Sequence, residues 1–265
     1  MLKKTLLILV FNGENFLNRA LNSVYNQTIP VDEVLIIDDA SNDNTQNIIS
    51  KWEGNLPIIN IKNKTNIGIF KSLKQGVNEC SGQLIFRLDH DDEWKPDHVE
   101  EIINLYFKDP TAAIYSTRAE YFDSDGNFKK SSEAVNDKNI RKKFLWDNPL
   151  VQSSTAFLKK NFLNIEQAKN LYSSEDYDLW IRLIKNGRLQ FSNKKTINYY
   201  VYENSLSRRN INRNYRERYK CQLNAIKFFY KSYPFRSFFI LLILFLRIIF
   251  NLRHGKFNNL LEINK

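Results

Sequence analysis

The sequence predicts an α/β fold: a doubly wound, mostly parallel sheet followed by a helical tail. Three observations predict it. Short apolar runs of strand length alternate with stretches whose apolar residues recur at helical spacing. Turn residues separate the two kinds of stretch, and three of the first four runs end in acids. Strand–helix–strand repetition of this kind implies right-handed crossovers and helices on both faces of one sheet.

Residues 5–11 are expected as the first strand. Lys3 and Lys4 before it give this end the look of a secretory signal. However, the apolar run is only strand-length, no small-residue cleavage site follows, and Asn12-Gly13 is a turn. Phe16, Leu17, Ala20, Leu21, Val24 and Tyr25 then follow the spacing of one helical face. Residues 33–38, 57–61 and 84–89 read as further buried parallel strands. Helical patterns lie between them, with Ile48, Ile49 and Trp52 after Asn44-Thr45, and Ile69, Leu73 and Val77 after Gly68. Farther on, 113–117 and 119–122 are expected as two strands and 129–143 as an exposed, Lys-rich loop or insertion. A helix is expected within 171–186 and a strand over 197–202.

A chain of 265 residues holds one large α/β domain or two small ones. Its 43% hydrophobic content, with only 8 Gly and 6 Pro, excludes a disordered or fibrous chain. Cys80 and Cys221 share no recognisable spacing, which argues against a disulfide framework or zinc cluster and fits a reducing compartment. The net charge of +10 is local. Residues 1–205 carry 26 Lys and Arg against 27 Asp and Glu, whereas 206–265 carry 13 against 2. A nearly neutral globular domain over 1–205 and a basic tail over 206–265 follow.

In doubly wound sheets ligands bind beyond the carboxyl ends of the strands. Those ends carry Asn12 to Glu14, Asp38-Asp39, Asn66 to Gly68, and Asp89 to Asp92. The last is the most telling, because LIFRLDHDDEW runs an apolar strand straight into Asp89, His90, Asp91, Asp92 and Glu93. Like charges so close are costly to bury unpaired, so a cation is expected among them. The structural alternative is an acidic turn capping a helix after Pro96.

Five segments in register, LLILVFNGENFLNRALNSVYNQT, EVLIIDDASNDNT, NIGIFKSLKQG, LDHDDEW and SSEDYDLW, resemble a family 2 glycosyltransferase of the Rossmann-like GT-A fold, over roughly residues 3–205. The resemblance implies an inverting transfer from a nucleotide-diphosphate-sugar, with Mn²⁺ or Mg²⁺ neutralising the diphosphate through carboxylate oxygens. It puts Asp89 toward sugar and metal and Asp91 on the metal, leaving His90 as a spacer and Asp92 as support. Phe11, Asn12 and Glu14 fall at the nucleotide end. Asp38 and Asp39 match the base and ribose contacts, with Asp39 on the base and Asp43 in a turn role. Asn66, Gly68 and Lys71 match a loop closing over the nucleotide, although Lys71 reads equally as a solvated helix residue. Glu175 and Asp176 match the family's catalytic acid pair, with Asp176 the general base, and Trp180 reads as core. One departure stands out. Tyr202 occupies the position where a segment resembling YRxHxxSxS often carries a metal-binding His, so water or the diphosphate alone would complete the metal shell. Arg208 and Arg209 just beyond read either as diphosphate contacts or as the start of the tail.

Within the tail, Tyr215, Tyr219, Leu223, Ile226 and Tyr230 share one helical face, and Arg213, Arg216, Lys220, Lys227 and Lys231 occupy much of the rest. About a dozen apolar residues follow before Arg247, short of the roughly 20 a membrane span needs. An interfacial helix on an anionic leaflet fits best, against the alternative of a helix packed on the domain or in an oligomer. The apolar run argues against nucleic acid. The expected protein is a cytoplasmic enzyme, peripheral at the inner face of the cell membrane. Its acceptor would be a glycan or lipid-linked, as in surface polysaccharide or lipopolysaccharide assembly. Two rivals stand beside this reading. A sugar-1-phosphate nucleotidyltransferase would carry a Gly-rich, Arg-containing loop where this chain has FNGENFLNRA. A non-catalytic membrane-surface module would hold its acids for structure alone.

Overall fold

The computed structural model describes residues 2–165, 174–202 and 211–253. Four strands, β1 (Lys4–Val10), β2 (Glu33–Asp38), β3 (Ile58–Lys62) and β4 (Leu84–Arg87), pair in parallel in the order β3-β2-β1-β4. The helices between them are α1 (Leu17–Tyr25), α2 (Thr45–Trp52) and α3 (Ile69–Glu79). Side chains alternate across the sheet. Leu6, Ile8 and Val10 face the core under α1, α2 and α4 (His98–Lys108). Leu7 and Leu9 face the opposite core, shared with α3 and with α7 (Glu175–Asn186). This half matches the expectation closely.

Past β4 the sheet is mixed, which corrects the expectation of a mostly parallel one. The remaining strands are β5 (Glu93–Trp94), β6 (Ile114–Asp123), β7 (Phe128–Ser131), β8 (Thr155–Leu158) and β9 (Leu189–Val201). β8 lies between β4 and β6 and is antiparallel to both. β9 runs parallel to β6, and β5 is antiparallel to β9. β7 returns on β6 through a turn at Gly126, φ +82°, too short for a crossover, so that pair must be antiparallel.

Two local expectations also change. Residues 113–117 and 119–122 are not two strands but the single β6, whose register shifts around Arg118. The Lys-rich stretch 129–143 is not a loop. It ends β7 and forms α5 (Asp137–Phe144), started by a reciprocal Asn136–Asn139 capping box and anchored by buried Ile140 and Phe144.

After the short α6 (Lys159–Leu163) and after α7, the chain adds α8 (Ile211–Phe229) and α9 (Pro234–Arg253). α8 buries Cys221, Ala225, Ile226 and Phe229 in the α3/α7 core, and Asn224 donates to Asp178 at 3.1 Å. The expected stripe is split: Tyr219 and Ile226 pack on this core, whereas Tyr215, Leu223 and Tyr230 are exposed. No helix among the described residues is long and apolar enough to cross a membrane.

Candidate active site

The strand ends β1 and β2 meet in two loops tied together by hydrogen bonds. Asn12 N–H donates to Ser41 Oγ at 2.9 Å, Gly13 N–H to Thr45 Oγ1 at 2.8 Å, and Glu14 N–H to Asp43 Oδ2 at 3.0 Å. In return, Asn42 and Asn44 N–H groups donate to the Asn12 and Glu14 side chains. Gly13 is required by space, because a Cβ there would come within 2.5 Å of Val10 Cγ2. Asn12 and Ala40 both adopt left-handed backbone, φ 54° and 66°, a local strain that tends to gather at functional sites. Phe11 stands exposed at the rim.

Asp38 and Asp39 serve these loops differently. Asp38 is fully buried, accepting from Ser41 N–H at 2.8 Å and from Gln46 Nε2. Asp39 accepts from Asn63 Nδ2 at 2.8 Å, Ile67 N–H at 2.9 Å and Gly68 N–H at 2.8 Å. It therefore anchors the 63–68 loop, which needs the left-handed φ of +86° at Gly68. Asn66 and Lys71 are exposed on that loop and the helix it starts.

Beyond β4, three carboxylates converge. Asp89 Oδ1 accepts from Gln152 Nε2 at 2.7 Å, and its Oδ2 has no protein partner among the described residues. The Asp91 carboxylate makes no hydrogen bond to another described residue, and burial holds it above the usual carboxylate range. Asp92 is enclosed, accepting from Ser153 Oγ and, at 3.2 Å, from Tyr200 N–H, and burial raises it strongly. His90 turns its ring toward Phe16, 6.5 Å between centroids.

The second acid pair opens α7. Burial pushes the Glu175 carboxyl up to about 8 and that of Asp176 up to about 7. Asp176 Oδ2 accepts from Asn148 Nδ2 at 2.7 Å. Trp180 is fully buried against Phe157, a core residue as expected. Arg87, 1% exposed, neighbours both acid sets, with Nη2 3.8 Å from Asp89 Oδ1 and within electrostatic range of Glu175 and Asp176.

Sequence reasoning missed Arg87 and also the run Asn148, Gln152 and Ser153, each of which holds an acid of the site. Three polar residues in NPLVQSS, just ahead of a wholly buried TAFL strand, were the available signal. At the Tyr202 position, Arg19 Nη2 donates to the phenol oxygen at 3.0 Å and to the Asp91 carbonyl at 2.5 Å, while its guanidinium lies 3.7 Å from the Tyr200 ring centroid. Arg208 and Arg209 lie outside the described residues.

The donor set fits a hard divalent cation shared with a ligand. No cluster of three or more His, Cys, Asp or Glu able to hold a metal forms among the described residues. The free oxygen of Asp89 and the unpartnered carboxylate of Asp91 supply two hard ligands, the number Mg²⁺ commonly takes from protein when phosphate oxygens supply others.

Comparison with known proteins is consistent with this arrangement. The family described as "Glycosyl transferase family 2" matches residues 5–216. A UDP-Gal:alpha-D-GlcNAc-diphosphoundecaprenol beta-1,3-galactosyltransferase of Escherichia coli is 30% identical over 65% of this chain and 63% of its own length. A chondroitin synthase of Pasteurella multocida is 28% identical over 76% of this chain but only 21% of its own. The chain thus spans less than two thirds of either relative. In fold, the crystal structure of S. aureus TarS 1-349 in complex with UDP-GlcNAc superposes with a TM-score of 0.66 at 18% identity, covering 77% of this chain and 60% of that one.

Proposed function

The chain belongs to glycosyl transferase family 2, and on that premise we propose that it transfers a sugar, with inversion, from a UDP-sugar to a glycan or lipid-linked acceptor in surface polysaccharide or lipopolysaccharide assembly. The observation that carries this reading is that acids distant in sequence meet: Asp89, with Asp91 beside it, comes within electrostatic range of Glu175 and Asp176, and the buried Arg87 neighbours Asp89 and that pair. UDP is favoured as the donor's nucleotide by the named donor of the Escherichia coli relative and by the ligand of the TarS complex.

Each part of the chain has its work. Phe11, Asn12, Glu14, Asp38 and Asp39 shape the nucleotide end, where Asp39 holds the 63–68 loop that carries Asn66 and Gly68 and leads to Lys71. Asp89 and Asp91 would hold Mn²⁺ or Mg²⁺, which would supply Lewis-acid neutralisation of the diphosphate charge. Asp176 takes the proton from the acceptor hydroxyl as that oxygen forms its bond to the anomeric carbon. The bond from that carbon to the diphosphate breaks on the opposite face, and the nucleoside diphosphate leaves with the electron pair. Glu175 stands beside it, buried, with its carboxyl also pushed up by that burial.

The tail supports a peripheral place at the inner face of the cell membrane. α9 buries Ser237, Ile240 and Leu244 and exposes Phe235, Phe238, Phe239, Leu242 and Leu246. An apolar face of this size in a basic segment suits an anionic leaflet.

The test is Asp176→Asn. Removing a general base lowers turnover by about 10²–10⁴-fold, while UDP affinity stays within a few-fold of wild type. Nucleotide release from UDP-galactose and UDP-GlcNAc, with a lipid-linked saccharide as acceptor, reads it. Unchanged turnover would remove Asp176 from the reaction.

A further inference from the structure

Arg87 is the last residue of β4, and strand alternation sends its side chain to the same side as Ile85, the α3/α7 side. It is 1% exposed, and its Nε and Nη1 have no hydrogen-bond partner among the described residues. Its one ion pair there, to Asp89 Oδ1 at 3.8 Å, is beyond hydrogen-bond distance. Burying a guanidinium this poorly satisfied costs stability, and an apolar side chain of similar length would fill the space without that cost. Packing therefore gives no reason for an arginine here. What the position does offer is proximity to both acid sets, with Asp89 Oδ1 at 3.8 Å and Glu175 and Asp176 within electrostatic range. A rigid fork of five donors and no acceptor can face two carboxylate groups at once, and an ammonium does so less well.

Resting on the glycosyl-transfer reading above, we propose that Arg87 is a positioning residue, the shared buried counter-charge that holds Asp89 on the donor side and Glu175–Asp176 on the acceptor side at one working separation. It touches neither substrate. When Asp89 turns toward the donor, the two unpartnered nitrogens of Arg87 remain to steady the acids at the start of α7, so that Asp176 stands ready where the anomeric carbon is presented.

The test compares wild type, Arg87→Met and Arg87→Lys in the full chain. Three readouts are taken: thermal unfolding, affinity for UDP with Mn²⁺, and nucleotide release from the UDP-sugar that the wild type turns over fastest. In Arg87→Met the melting temperature is unchanged or higher, because a poorly paired buried charge has gone. Its UDP affinity stays within about threefold while kcat falls by roughly 10² or more, the scale of losing one preorganised electrostatic contact. Arg87→Lys restores at least about a tenth of the wild-type kcat. Three outcomes overturn the proposal. One is an Arg87→Met whose kcat stays within about threefold. Another is loss of UDP affinity in step with kcat, which makes Arg87 a donor-binding group. The third is unfolding or a lower melting temperature in step with lost turnover, which makes Arg87 a structural residue. A wild type that turns over no UDP-sugar at all, while still binding UDP with Mn²⁺, sinks the transfer reading itself and this inference with it.

Discussion

If Asp176 is the base, as proposed, its burial sets the pH at which transfer can run. A general base works only when deprotonated, and burial pushes this carboxyl up to about 7. The rate kcat/KM is therefore expected to fall as pH drops below about 7, approaching tenfold per unit. Asn148 donates to the charged form and so favours it. Asn148→Ala is expected to move that acid limb to higher pH, and a limb that stays in place would detach Asn148 from the base. His98 gives a separate prediction, on stability. Burial holds its imidazole down to about 3, with Nδ1 against Thr196 Oγ1 at 2.7 Å. A depressed folded value means that stability is intact above the unfolded value near 6.5 and is lost as pH falls from there toward 3. Wild type should therefore lose stability over that window relative to His98→Gln, and parallel unfolding curves would contradict it. At this scale the acids were legible because runs such as LDHDDEW and SSEDYDLW are concentrated in the sequence. The residues that hold them were not, because Arg87, Gln152 and Ser153 acquire meaning only when β8 brings 152–158 beside β4.

Helices were legible where one face alone was apolar, and strands where the run was apolar throughout. α1 and α3 showed clean periodicity, and Glu33–Asp38 was read at its observed bounds. α5 was hidden because its buried contribution is only Ile140 and Phe144 among basic residues. α8 misled in another way. Its visible tyrosine stripe is split, with Tyr215, Leu223 and Tyr230 outward, while the docked face joins Tyr219, Ile226 and Phe229 with small or polar residues such as Cys221, Gln222 and Ala225. α9 carries the element-scale prediction. Phe235, Phe238 and Phe239 are 90%, 70% and 55% exposed, so replacing all three with Ser should leave the melting temperature unchanged. Binding to vesicles containing anionic lipid should fall by at least about tenfold, since each lost ring removes apolar area from the interface. Vesicle binding that survives the triple change would point to some other role for that face.

For the molecule as a whole, the sequence resolved the parallel β3-β2-β1-β4 half better than the mixed half. Parallel strands buried on both faces read as continuous apolar runs, whereas β6, β7 and β9 carry polar and charged residues through much of their length. The division of charge was legible too, with acids concentrated where the strands end and bases in the tail. The central claim is that Asp89 and Asp91 form, with a divalent cation, the site for a nucleotide diphosphate. The most direct measurement is thermal unfolding with UDP, GDP, dTDP and CDP, each with and without Mn²⁺. A ligand that binds only the folded state adds about 2.7 kcal/mol at one hundred times its Kd. The expected result is a rise with UDP that requires Mn²⁺ and disappears in Asp91→Ala. No shift with any nucleotide at millimolar concentration, or an equal UDP shift without metal, would contradict it.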